Sequence, residues 1–209
     1  MSSRDWAYIS NDVIYLSLFL FAISFFFYAF ETAFSLRNEE SKSVLDRSTT
    51  LRASKVALRL YAIATFFLTL GVLFRGVSAG RVPWGNMYEF SITGALSFSI
   101  AFLVVGRKYD LRWLGLPISI LVLLILGTAI TLLYRPSAPL VPALRSTWLV
   151  VHVSAAILSG GVFLLANTLA ATYLWLDRME SKGERNNFAR RLPSLERSEE
   201  HTSELQSRV

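Results

Sequence analysis

His152 is the first residue to weigh, because it is one of only two imidazoles in a chain that contains no cysteine. Without a thiol there is no disulfide, no thiolate metal site and no Cys-x-x-Cys redox pair, so a metal ligand has to come from His, Met, Tyr or a carboxylate. His152 stands four residues after Trp148. If that tryptophan marks a membrane interface, the imidazole lies about 6 Å, one helical turn, below it. At that depth an imidazole is hydrogen-bonded, faces a cavity or binds a metal. Ala155, Ala156, Ser159 and Gly160 follow at helical spacing and leave a flat strip on which a planar ligand can lie. Close packing of a neighbouring helix uses the same kind of strip, and the residues alone leave both uses open.

A second group sits in Trp84-Gly85-Asn86-Met87-Tyr88-Glu89-Phe90. Asn86 is placed to N-cap a helix, and Glu89 three residues on can close a capping box and complement the helix dipole. Capping leaves Pro83, Trp84, Met87 and Tyr88 unexplained. They form an aromatic shelf suited either to anchoring at an interface or to binding a ligand. Arg75, Arg81, Arg135 and Arg145 offer guanidinium groups that meet carboxylates bidentately, or lipid headgroup phosphates. Asn167 is expected to hydrogen-bond a neighbouring helix and Glu31 to be solvated near a helix end.

The elements that must position these residues are helices in a bilayer. Of 209 residues, 53% are hydrophobic and 17% charged, which is far from an ordinary soluble domain. Apolar runs at about 13–34, 56–74, 86–105, 114–133 and 148–176 are each long enough to cross a hydrocarbon core of roughly 30 Å. The expected fold is an all-α, polytopic transmembrane bundle of five spans. Residues 1–12 form a short polar lead-in without the marks of a cleaved signal peptide. Residues 35–55 are expected to be a charged loop, and Pro136, Pro139 and Pro142 an extended connection.

The net charge of +6 is spread over short loops between apolar runs, which argues for topology and excludes nucleic acid as the partner. If the loop after the first span is cytoplasmic, that side collects 14 Lys and Arg residues: 37, 42, 47, 52, 55, 59, 107, 108, 112, 178, 182, 185, 190 and 191. The other side holds 5, namely Arg4, Arg75, Arg81, Arg135 and Arg145. The expected orientation is therefore N-terminus out and C-terminus in, with both candidate groups facing outward and residues 177–196 cytoplasmic.

Arg197-Ser-Glu-Glu-His-Thr-Ser-Glu-Leu-Gln-Ser207 is the in-frame translation of a string that resembles a common sequencing-library adapter. Residues 197–209 are accordingly expected to be an artefact, and His201 is set aside as a ligand. The natural frame is expected to stop near Glu196, making the chain an amino-terminal fragment of a longer protein.

Trp84–Phe90, followed some sixty residues later by Leu144-Arg-Ser-Thr-Trp-Leu-Val-Val-His-Val153, closely resembles the cytochrome c biogenesis proteins of the CcsA type, called CcsB or ResC in some bacteria. The resemblance covers roughly residues 56–176. It implies a multi-pass subunit of the cell membrane that transports or presents haem b on the outer face for attachment to apocytochrome c, alongside a ResB-type membrane protein. On this resemblance His152 takes the place of an external axial haem-iron ligand. Trp84, Asn86, Tyr88 and Glu89 then belong to an outer haem shelf, and Arg81 and Arg145 to propionate contacts. The family's tryptophan-rich outer segment and its further histidines have no match in this chain, which implies a fragment inactive alone. Two other classes stay open: a related haem carrier or chaperone serving a different acceptor, and a non-haem membrane assembly or transport subunit.

Overall fold

No glycine or proline occurs before Gly71, and the described residues among the first 70 fold almost wholly as helix. The computed structural model describes residues 2–37, 44–136 and 146–181. Their helices are α1 (Ser3–Arg37), α2 (Val44–Ala79), α3 (Met87–Lys108), α4 (Gly115–Thr131, entered through a 3-10 turn at Arg112–Leu114) and α5 (Thr147–Ser181). There is no strand among the described residues, and five helices are long and apolar enough to cross a membrane. The chain is thus the all-α polytopic bundle expected. Two boundaries differ. α1 starts at Ser3, well before the apolar run, and α2 starts at Val44, inside the stretch expected to be a loop. Charged residues mark where a helix leaves the apolar phase, but Arg, Lys and Glu are good helix formers and do not unwind it.

The core begins with the pairing of α1 and α2, the most extensive in the bundle. Ser10, Ile14, Ser17, Phe21, Ser24 and Tyr28 are buried on α1, and Ser54, Ala57, Tyr61, Ala64, Leu68 and Arg75 on α2. Alternating steps of three and four residues make each set one coiled-coil seam. Small residues, Ser10, Ser17 and Ser24 on α1 and Ser54, Ala57 and Ala64 on α2, are interleaved with the large ones, because close approach of the backbones gains contact and hydrogen bonds that apolar bulk alone does not gain over lipid. Ser10 Oγ donates to the Gly71 carbonyl at 2.8 Å and Ser24 Oγ to that of Ala57 at 2.9 Å. A Cβ on Gly71 would stand 2.5 Å from Ile14 Cγ1.

α3 and α4 complete the core with Tyr88, Ile92, Ala95, Phe98 and Phe102, and with Ile118, Val122, Leu126 and Ala129. Tyr61 links the layers, edge-on to Phe21 and Phe102 and donating to Ser99 Oγ at 3.1 Å. α5 packs mainly on α3, through Ile157, Gly161, Leu165 and Thr168. Leu158, Val162, Phe163 and Leu174 on its other faces are exposed. The starts of α1, α3 and α5 and the ends of α2 and α4 share one end of the bundle. At the other end Arg112 grips Asp110 with bonds of 2.7 and 2.6 Å, which holds that carboxyl below the usual carboxylate range.

Candidate functional site

Helix α2 stops at Gly80, whose φ of +62° is the left-handed conformation that glycine adopts without steric cost. The Gly80 N–H donates to the Val77 carbonyl and the Arg81 N–H to that of Gly76, both at 3.2 Å, a Schellman closure that turns the chain sharply back. Arg81 is thereby brought over the start of α3. Asn86 caps that start as its sequence predicts, its side-chain oxygen accepting from the Glu89 N–H at 2.9 Å. The Glu89 carboxylate does not return to the Asn86 N–H to finish a capping box. It accepts instead from the Gly85 N–H at 2.9 Å.

Glu89 is fully buried and is the hub of this end. Arg75 Nε donates to its Oε1 at 3.2 Å, and Arg81 Nη1 to its Oε2 at 2.8 Å. Arg75 is also fully buried: its Nη2 donates to the Arg135 carbonyl at the end of α4, and its guanidinium carbon stands 5.1 Å from the centre of the Tyr88 ring. Tyr88 packs edge-on to Tyr134 at 5.2 Å, and Asn11 Nδ2 donates to the Tyr134 hydroxyl at 2.9 Å. The carboxylate ties α2 and the Gly80–Asn86 turn to α3, and Arg75, Tyr88, Tyr134 and Asn11 extend the cluster to α1 and the segment after α4. Two guanidinium groups share this one carboxylate.

The structure brings Arg81, Asn86, Tyr88 and Glu89 into this clamp and seats Trp84 half-buried in the turn beside it. Tyr88 and Glu89 face the interior, and Met87 and Phe90 are the side chains this segment exposes. Arg145 lies outside the described residues, as do Pro139, Pro142 and His201. His152 stands apart from the clamp, exposed on α5 one turn inside its start. Ala155, Ala156, Ser159 and Gly160 are exposed with it, while Ile157 and Gly161 face α3. Asn167 makes no interhelical hydrogen bond among the described residues. It lines an apolar cleft of about 680 Å³ between α4 and α5, with Trp113 and Trp175. No cluster of three or more potential metal ligands occurs among the described residues.

The sequence treated Arg75 only as one of four arginines at the same end, and missed its pairing with Glu89. A signal was available: position 75 extends the 57, 61, 64, 68 seam of α2, so an arginine there enters the bundle and requires a buried counter-charge.

Comparison with known proteins adds a family. Residues 84–205 match the model of the cytochrome C assembly protein family, over more than half of the chain and across both candidate stretches. A cytochrome c biogenesis protein CcsA from Marchantia polymorpha is 36% identical over 123 residues, covering 57% of this chain and 38% of the relative. A CcsA protein from Prochlorococcus marinus (strain MIT 9301) is 31% identical over 131 residues, covering 61% of this chain and 42% of the relative. The matched region spans about two fifths of the length of these relatives. No solved structure matches the chain.

Proposed function

Because the chain belongs to the cytochrome C assembly protein family, we propose that it is the haem-handling part of a multi-pass assembly subunit, with His152 as an axial ligand to haem iron on the outer face of the cell membrane. Haem b is the transported substrate, and apocytochrome c, acting beside a ResB-type membrane protein, is the acceptor. One observation supports this above the others. His152 and the small residues Ala155, Ala156, Ser159 and Gly160 are exposed together on α5, while the packing glycine, Gly161, faces α3. The strip that either a planar ligand or a helix can use is thus not consumed by packing among the described residues. The donor is suitable as well, since a neutral imidazole is a common haem ligand. The thioether bonds draw on the acceptor's own cysteines, so a chain without cysteine is no obstacle.

In this reading the Glu89 clamp is positioning machinery. It fixes the turn carrying Trp84 and the start of α3, the helix on which α5 rests. The decisive experiment compares full-length wild type with His152→Ala at matched expression, measuring haem per protein and the visible spectrum, then adds free imidazole to the variant. The expected result is a changed spin and redox signature that imidazole restores, with the protein still inserted, because an exposed substitution leaves the apolar helix intact. Equal haem content and an identical spectrum would remove His152 as the ligand.

A further inference from the structure

The bundle end that holds the clamp also contains a second cavity, and it is built for an anion. About 530 Å³ in volume, it is lined by Ser3, Arg4, Ala7, Tyr8 and Asn11 from α1, Arg75, Ser78 and Ala79 from α2, and Tyr134 and Pro136 after α4. Among the described residues, its lining holds two cationic side chains and no carboxylate. Arg75 is fully buried, yet its Nη1 is without an acceptor, although Nε and Nη2 are both used. Leaving a charged donor buried and unpaired is costly, so such a nitrogen calls for an acceptor beyond the described residues. Glu89 cannot serve it, being shared already with Arg81.

Asn11 repeats the pattern. Its amide bonds the Tyr134 hydroxyl, and its other polar atom is buried without a partner. Because a hydroxyl both donates and accepts, turning the amide over keeps that bond and presents an N–H2 group instead. Arg75, Asn11 and Arg4 then offer donors to the cavity, beside the hydroxyls of Ser3 and Tyr8. A tetrahedral oxyanion presents oxygens in several directions and meets donors that converge from two helices.

We propose that this cavity binds a phosphate group, with the helix ends around it placing it at headgroup depth. Two sources share that chemistry, an anionic phospholipid and free phosphate. The test uses the full chain purified in a neutral detergent. Phosphatidylglycerol, phosphatidylcholine and inorganic phosphate are titrated separately, and native mass spectrometry and the shift in unfolding temperature are read. Arg4→Gln and Asn11→Leu leave the Arg75–Glu89 pair intact; Asn11→Leu also removes the bond to Tyr134, so the unfolding temperature of each variant without ligand is read first and ligand shifts are compared against it. One phosphatidylglycerol held in preference to phosphatidylcholine, and weakened about tenfold by either substitution, establishes the site with lipid as its source. Inorganic phosphate bound with the same dependence on Arg4 and Asn11, without lipid, establishes it with the free ion. Equal binding of the two lipids, binding unchanged in both variants, or no binding of any of the three overturns the proposal.

Discussion

At the scale of single residues, Glu89 is the side chain on which most depends. It is buried and pairs with both Arg75 and Arg81. Glu89→Gln keeps the shape and removes the charge, leaving two cations against a neutral amide in an interior. Breaking a buried pair in this way costs about 3–5 kcal/mol. The measurement is equilibrium unfolding in mixed micelles, and a variant within about 0.5 kcal/mol of wild type, the range of an inert surface change, would reject the clamp. An Arg75→Leu, Glu89→Gln double variant is expected to be less impaired than Glu89→Gln alone, since it removes the buried Arg75 charge. How much of this was legible follows from range. Asn86 as a cap depends on a residue three positions away, so the sequence displays it. The Arg75–Glu89 pair spans the Gly80 turn: the α2 seam places Arg75 inside the bundle, but nothing local in either helix names its partner.

Among elements, α5 shows how one helix can divide its glycines between two tasks. A Cβ at Gly161 would stand 2.8 Å from the Phe98 backbone nitrogen, whereas one at Gly160 would meet nothing within 4 Å. Gly161→Leu is therefore expected to force α5 off α3 and to destabilise by about 1–3 kcal/mol. Gly160→Ala lies in open space, and replacing a mid-helix glycine favours the helix by up to about 1 kcal/mol. Unfolding of the two variants measured side by side checks the assignment of faces, and equal effects would show that α5 has no fixed face. The apolar runs made the helices readable because the hydrocarbon core rewards about 20 apolar residues whatever their neighbours are. The helical lead-ins at Ser3 and Val44 were not readable, since beyond the bilayer no length requirement applies and only weak propensity remains. Nor did the sequence say which of two adjacent glycines packs, because that depends on the rotation of α5 against α3.

For the whole molecule the open question is which end faces the cytoplasm, and the clamp sharpens the expectation drawn from charge. Of the five Lys and Arg residues assigned to the outer side, Arg75 and Arg81 are tied to Glu89 and do not act as mobile loop cations. At the opposite end, Arg52, Lys55, Arg59, Arg107 and Lys108 are all exposed. The retention of cations in the cytoplasm therefore acts on a larger difference than the raw count of 14 against 5 suggests. Because the chain has no cysteine, one introduced thiol reports one site. Ser146 and Tyr109 are both exposed, the first just before α5 and the second just after α3. In intact cells an impermeant maleimide is expected to label Ser146→Cys, and to label Tyr109→Cys only after the membrane is opened. Labelling of Tyr109→Cys from outside, with Ser146→Cys protected, would invert the molecule. His152 would then lie on the cytoplasmic face, where it could not hold haem for an acceptor outside, so this experiment bears on the proposed function as directly as the spectrum does.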